Sequence, residues 1–94
     1  MNRTATVVAT GRYLPERLVT NDELRSIFAT SGRAEIIDGF EARSGILQRY
    51  RADPGQATSD LAVEAARQAM RRAECRPADL DLIILGTDTP DHIT

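Results

Sequence analysis

One cysteine, one histidine and a scatter of aspartates are the side chains with which this chain could do chemistry. A cysteine nucleophile needs its thiolate stabilised, by a helix N-terminus or an adjacent base. Cys75 stands instead at the end of an alanine-striped helical pattern, so packing filler is its expected role. His92, in Thr89-Pro90-Asp91-His92, has one neighbouring carboxylate and no second ligand at a metal-binding interval, which makes it a loop residue rather than a catalytic base. Asp81, Asp88 and Asp91 form neither a paired-carboxylate site nor a calcium loop. Asp79 and Asp81 read as polar residues bordering a strand entry. Gly11 stands alone, without G-x-G-x-x-G and without a P-loop lysine, so no phosphate cradle is encoded. These residues by themselves assemble no complete catalytic constellation.

The element that organises them is Leu80-Asp81-Leu82-Ile83-Ile84-Leu85-Gly86, followed by Thr87-Asp88-Thr89. A short Leu/Ile run closed by glycine and small polar residues predicts a strand buried on both faces that opens into a polar loop. In open α/β sheets, chemistry collects beyond the carboxyl ends of such strands. A functional loop is therefore expected to begin just before Thr94, where this sequence ends.

Upstream, Thr4 to Thr10 is β-rich and stops at Gly11, predicting a first strand. A loop through Pro15 follows. Thr20 or Asn21 then caps a short helix over about 21–29, with Asp22 and Glu23 opposing the helix dipole and Leu24, Ile27 and Phe28 on one face. Residues 34–40 could form a second short helix, limited by Gly39 and Gly45. Ile46 to Tyr50 alternates as a half-exposed strand or hairpin arm, and Asp53-Pro54-Gly55 is a turn. The clearest helix runs from Ser59 to Glu74, capped by Thr58 or Ser59. Leu61, Ala62, Ala65, Ala66, Ala69, Met70 and Ala73 form its stripe, suited to close packing. Helix followed by buried strand is half a βαβ unit, and the expected class is α/β.

Composition narrows the function classes. Net charge is −2 with both signs interspersed, which argues against a nucleic-acid face, and 41% hydrophobic residues is ordinary for a globular domain. No segment approaches a membrane span and no signal peptide is evident. A lone cysteine excludes an internal disulfide and fits a reducing cytoplasm.

Several stretches, in order, resemble the N-terminal part of β-ketoacyl-acyl carrier protein synthase III, in the thiolase superfamily. Gly11-Arg12-Tyr13-Leu14-Pro15-Glu16 with Val19-Thr20-Asn21-Asp22-Glu23-Leu24 is similar to the family's opening. Arg43-Ser44-Gly45-Ile46 resembles its R-T-G-I segment, and Arg49-Tyr50 the strand after it. Ser59-Asp60-Leu61-Ala62-Val63-Glu64-Ala65-Ala66 is similar to its long helix, and residues 80–87 to the strand before its active-site region.

The resemblance implies thiolase-like α/β/α layers, with residues 1–94 a partial N-terminal domain, about the first quarter of a cytoplasmic homodimeric condensing enzyme of fatty-acid or polyketide synthesis. That enzyme would move an acyl group from acyl-CoA to a cysteine, then condense it with malonyl-acyl carrier protein. Coenzyme A enters as a substrate thioester, and no separate cofactor or metal is implied. The resemblance puts the family's Cys, His and Asn downstream of Thr94. No catalytic residue then falls within this chain, and the piece alone is expected to be inactive and poorly soluble. Two peripheral residues carry over as coenzyme A contacts: Arg43 at the tunnel mouth, and Thr30 beside the adenine site. The pattern is departed from twice. The chain has no tryptophan to stack on adenine, and the Thr30–Arg43 interval is several residues longer, implying another starter unit or donor. For Arg43 the competing expectation is a plain surface or inter-strand ion-pair residue. The rival functions are another thiolase-superfamily acyltransferase and a scaffold that kept the fold and lost the cysteine.

Overall fold

The computed structural model describes residues 3–92. They divide into two units, one formed by Leu14–Pro54 and the other by the residues up to Tyr13 together with those from Gly55 onward. The described residues form a small mixed helix and strand structure.

The Leu14–Pro54 unit runs β1 (Arg17–Thr20), α1 (Asn21–Ala29), α2 (Glu35–Ser44) and β2 (Gln48–Arg51). β1 and β2 pair antiparallel, with Arg17 opposite Arg51 and Val19 opposite Arg49. Of the half-exposed strand or hairpin arm expected from Ile46 to Tyr50, a strand forms, over Gln48–Arg51, and its partner is a strand that the sequence pattern hid. Only four residues long, β1 runs straight into α1, and its single buried apolar residue, Val19, leaves no alternation to read. Thr20 is the cap of α1; its hydroxyl accepts the Glu23 N–H at 3.2 Å. Asp22 and Glu23 occupy the first turn, where the exposed N–H groups favour negative charge.

Gly39, expected to limit the second helix, lies inside it, at a cost of about 1 kcal/mol relative to alanine. The end is set by Gly45, whose φ of 71° is left-handed and whose N–H closes on the Glu41 carbonyl at 2.8 Å. A side chain there would be strained, as at many helix C-termini. Val19 and Ile37 are the buried apolar centre of this unit.

The second unit is built on α3 (Thr58–Ala73). Its N-cap is Ala57 rather than Thr58 or Ser59, and the Asp60 carboxylate reaches back to accept the Ala57 N–H at 2.8 Å. The alanine stripe faces the two apolar runs, but no residue of α3 is buried. Ala69, Met70 and Ala73 line a cleft with Val7, Val8, Ala9 and Leu80, while Ala62, Val63, Ala65 and Ala66 line another with Ile83, Ile84 and Leu85. Gly11 lies so close to α3 that a Cβ would fall 2.2 Å from the Ala65 carbonyl oxygen and 2.6 Å from the Ala69 nitrogen. Its lack of a side chain serves helix contact, not phosphate binding. Arg12 N–H donates to Gln68 Oε1 at 2.9 Å and Arg72 donates to the Thr10 carbonyl at 3.1 Å, fixing this segment along the helix.

The strands expected at 4–10 and 80–86 are not formed. Neither run is in a ladder among the described residues, and Ile84, expected to be buried on both faces, is 83% exposed. A strand is defined by its neighbour, and only β1 and β2 find one here. Val7 is 80% exposed for the same reason. Pro54-Gly55 forms the expected turn, and a single 3₁₀ turn, Pro77–Asp79, links α3 to the second apolar run. The polar loop expected after that run is described only as far as His92; its last residue, Thr94, lies outside the described residues.

Candidate functional site

The most built-up polar region lies in the Leu14–Pro54 unit, at the junction of β1 and α1. Asn21, 4% exposed, is a buried polar residue with every side-chain hydrogen-bonding group in use. Its Nδ2 donates to Glu41 Oε2 and to the Ile46 carbonyl, both at 2.8 Å, and its Oδ1 accepts from Arg49 at 2.5 Å. Its backbone N–H donates to the Leu47 carbonyl at 3.0 Å. One side chain thus joins the start of α1 to α2, to the chain entering β2, and to β2 itself. Both N–H donors of a buried amide must find acceptors, so this geometry leaves little choice of residue.

Around Asn21 the charges form a continuous chain. Arg25 donates to Asp22 at 2.7 Å, Asp38 at 2.8 Å and Glu41 at 2.7 Å, tying α1 to α2. Hydrogen bonding to Asp38, then to Glu41, raises the pKa of Arg25. The Asn21 amide, then Arg25, holds Glu41 below the ordinary glutamate value. These partners are solvent-accessible enough that the network acts more as a register device than as a large store of stability.

The two residues expected to contact coenzyme A both lie in this unit. Arg43 is exposed near the end of α2, its guanidinium carbon 5.4 Å from the centre of the Phe40 ring. Among the described residues it makes no ion pair, and it sits on a helix, so the inter-strand ion pair weighed for it is not what forms. A guanidinium stacked on an aromatic face keeps its N–H fork available for an anion. Thr30 terminates α1, and its hydroxyl donates to the Ile27 carbonyl at 2.8 Å. That oxygen can still accept a hydrogen bond.

The other candidates have structural surroundings. Cys75 follows the left-handed C-cap Glu74 and lines a cleft with Val7, Val8 and Leu80. The carbonyl end of a helix disfavours a thiolate. Asp79 is held below its ordinary pKa by the Arg76 N–H and then its guanidinium, a local ion pair at the 3₁₀ turn. Asp91 accepts from Ser59 N–H at 3.0 Å and from the Ser59 hydroxyl. His92 beside it makes no hydrogen bond or ion pair among those found in the described residues. No group of three potential metal ligands occurs among the described residues. The catalytic Cys, His and Asn expected downstream of Thr94 fall beyond the described residues, as Thr94 itself does.

Sequence reasoning missed the two polar centres, Asn21 and Asp91. Asn21 directly follows the capping threonine, and a polar residue there is ordinarily read as a cap. Thr-Pro-Asp after an apolar run signals a turn, but nothing in the sequence says which helix the aspartate reaches.

The chain is 49% identical over 89 residues, 95% of its length, to a protein of Xylella fastidiosa (strain 9a5c) named beta-ketoacyl-[acyl-carrier-protein] synthase III. By sequence, this chain is a relative of the β-ketoacyl-acyl carrier protein synthase III proteins. Proteins of the same name from Rhodopirellula baltica and Caldanaerobacter subterraneus subsp. tengcongensis are each 46% identical, over 94% and 93% of the chain. The chain spans about a quarter of the length of these synthase III relatives: 26%, 24% and 25%. No family model matches it. No helix among the described residues is long and apolar enough to cross a membrane.

Proposed function

We propose that this chain is the opening part of a synthase III-type condensing enzyme of fatty-acid synthesis, contributing scaffold and donor-side contacts rather than the reacting sulfur. The observation that carries this reading is the 49% identity extending over 95% of the chain. The fold proposed for the full-length protein is the thiolase type, α/β/α in layers, homodimeric and cytoplasmic, with coenzyme A thioester and acyl carrier protein as its partners. Coenzyme A is a substrate carrier here, and no resident cofactor or metal is part of the proposal.

The proposed reaction has two stages. A cysteine thiolate attacks the carbonyl of an acyl-CoA; the carbon–sulfur bond to coenzyme A breaks, and its thiol leaves with a proton. Malonyl-acyl carrier protein then loses carbon dioxide, and the carbanion displaces the cysteine to give a β-ketoacyl product. Such chemistry needs an activated thiolate and donors for the tetrahedral oxyanion. Cys75, at the carbonyl end of α3, is unsuited to it. As the resemblance to the family implies, the nucleophile is proposed to lie in the part of the full-length protein downstream of Thr94.

Within this chain, Arg43 is the proposed phosphate contact and Thr30 a proposed polar contact near the nucleotide. The guanidinium of Arg43, stacked on Phe40 and without an ion pair among the described residues, supports this, because planar N–H forks recognise phosphate oxygens well. Arg43→Ala in the full-length enzyme is expected to raise KM for acyl-CoA about tenfold with kcat unchanged, the signature of a lost binding contact. With an acyl-pantetheine donor, which lacks the nucleotide, the same substitution should change nothing. Equal KM values for wild type and variant with acyl-CoA would remove Arg43 from the site.

A further inference from the structure

Thr58 and Ser59, which the sequence offers as helix caps, make their hydrogen bonds elsewhere. The Thr58 hydroxyl donates to the Thr89 carbonyl, and Ser59 gives both its N–H and its hydroxyl to the Asp91 carboxylate. The turn between is braced internally: Thr89 N–H donates to the Thr87 hydroxyl at 3.0 Å, and the two hydroxyls are 3.3 Å apart. Asp60 serves the Ala57 N–H, so two carboxylates satisfy the first turn of α3, one from the helix and one from 32 residues downstream. Hydrogen bonds from the Ser59 hydroxyl, then from its N–H, hold Asp91 below the ordinary aspartate value.

We infer that Asp91 is a positioning residue: its carboxylate clamps the Thr87–Asp91 turn onto the N-terminus of α3 and fixes the direction in which the chain leaves the 80–86 run. The run itself supplies no such control, since none of its backbone is in a ladder among the described residues. Its carboxyl end is where an α/β sheet assembles reacting groups, and small displacements there are costly to rate. The catalytic half of this inference rests on the proposed condensing activity; the clamp itself does not.

The test uses the full-length protein with Asp91→Asn, Asp91→Glu and the milder Ser59→Ala. Two readouts are needed: amide hydrogen exchange of the peptides spanning 57–62 and 86–92, and condensation kinetics with acetyl-, butyryl- and octanoyl-CoA and malonyl-acyl carrier protein. Asp91→Asn is expected to speed exchange in both peptides together by about threefold or more, as for a lost helix cap. It should lower kcat by a similar factor with KM for acyl-CoA unchanged. Ser59→Ala, which keeps the backbone contact, should give a smaller change in the same two readouts, and Asp91→Glu should recover part of each. Unchanged exchange in Asp91→Asn and Ser59→Ala would overturn the clamp. Faster exchange with wild-type kcat would overturn the positioning role. A wild-type protein that condenses none of the three donors would count against the proposed function, while the exchange experiment would still decide the clamp.

Discussion

The two units solve the problem of backbone hydrogen bonding in different ways. In Leu14–Pro54, both strands find each other, both helix ends are closed, and a buried asparagine cross-links four segments. In the unit around α3, the helix is complete, but the two apolar runs beside it have no ladder partners among the described residues and expose Val7, Val8, Leu82, Ile83 and Ile84. The first is closed by contacts between its own segments, with β1 and β2 paired and Asn21 bonded to Arg49. In the second, the apolar runs are suited to pairing with strands that the described residues do not supply. Unpaired strand-forming segments with apolar side chains invite association with other chains.

The strongest way to break the second unit is Gly11→Ala. The new Cβ would meet backbone atoms of α3 at 2.2 and 2.6 Å, and backbone cannot rotate aside. A loss of about 3 kcal/mol in urea unfolding of the full-length protein is expected. In the first unit, Asn21→Ala should cost about 2 kcal/mol by the same measurement, because it removes a buried amide and leaves the Ile46 carbonyl and the half-buried Arg49 guanidinium without that partner. Together, the two substitutions compare a steric dependence with a polar one.

Acid provides a subtler probe. Glu41 is held below the ordinary value of 4.5, so it binds protons less readily folded than unfolded. Its contribution is therefore present above that value and lost as pH falls through the lower, folded one. Stability measured below about pH 4.5 should decline more steeply in wild type than in Glu41→Gln, which has no such proton to take up. Parallel slopes would show that the Asn21–Glu41 contact carries no linkage. The smallest expected effect is that of Arg43→Ala on stability. It removes only an exposed contact with Phe40, worth about 0.5 kcal/mol. Any larger change in KM would then report on ligand rather than on fold.

Association of the isolated chain sharpens the same contrast. At micromolar concentration the 94-residue chain should self-associate in sedimentation, and Ile84→Lys should reduce that association, since a charge in the exposed run blocks edge pairing. A monomeric wild-type chain with dispersed amide signals would contradict this.

How much was legible in the sequence follows the same division. Helix α1 was readable from its capping threonine and α3 from its 3.6-residue stripe, both local signals, and Asp53-Pro54-Gly55 marked its turn unambiguously. The strand β1 was hidden because four residues running directly into a helix have room for neither alternation nor a turn. The 80–86 run has the composition of a central strand, which predicts burial. Burial, however, depends on neighbours, and composition cannot provide them. Arg43 was visible only through resemblance, and its stacking on Phe40 uses the i, i+3 spacing of α2. Asn21 and Asp91 were hidden for related reasons: a short polar side chain beside a cap or in a turn looks locally employed, whatever distant group it serves.

The central claim is that this chain supports a thioester condensation whose sulfur lies elsewhere in the protein. Peptide mass spectrometry of the full-length protein after incubation with acyl-CoA tests it most directly. The account predicts a stoichiometric acyl adduct on a cysteine other than Cys75, downstream of Thr94. An adduct on Cys75, or no adduct with any donor, would contradict it.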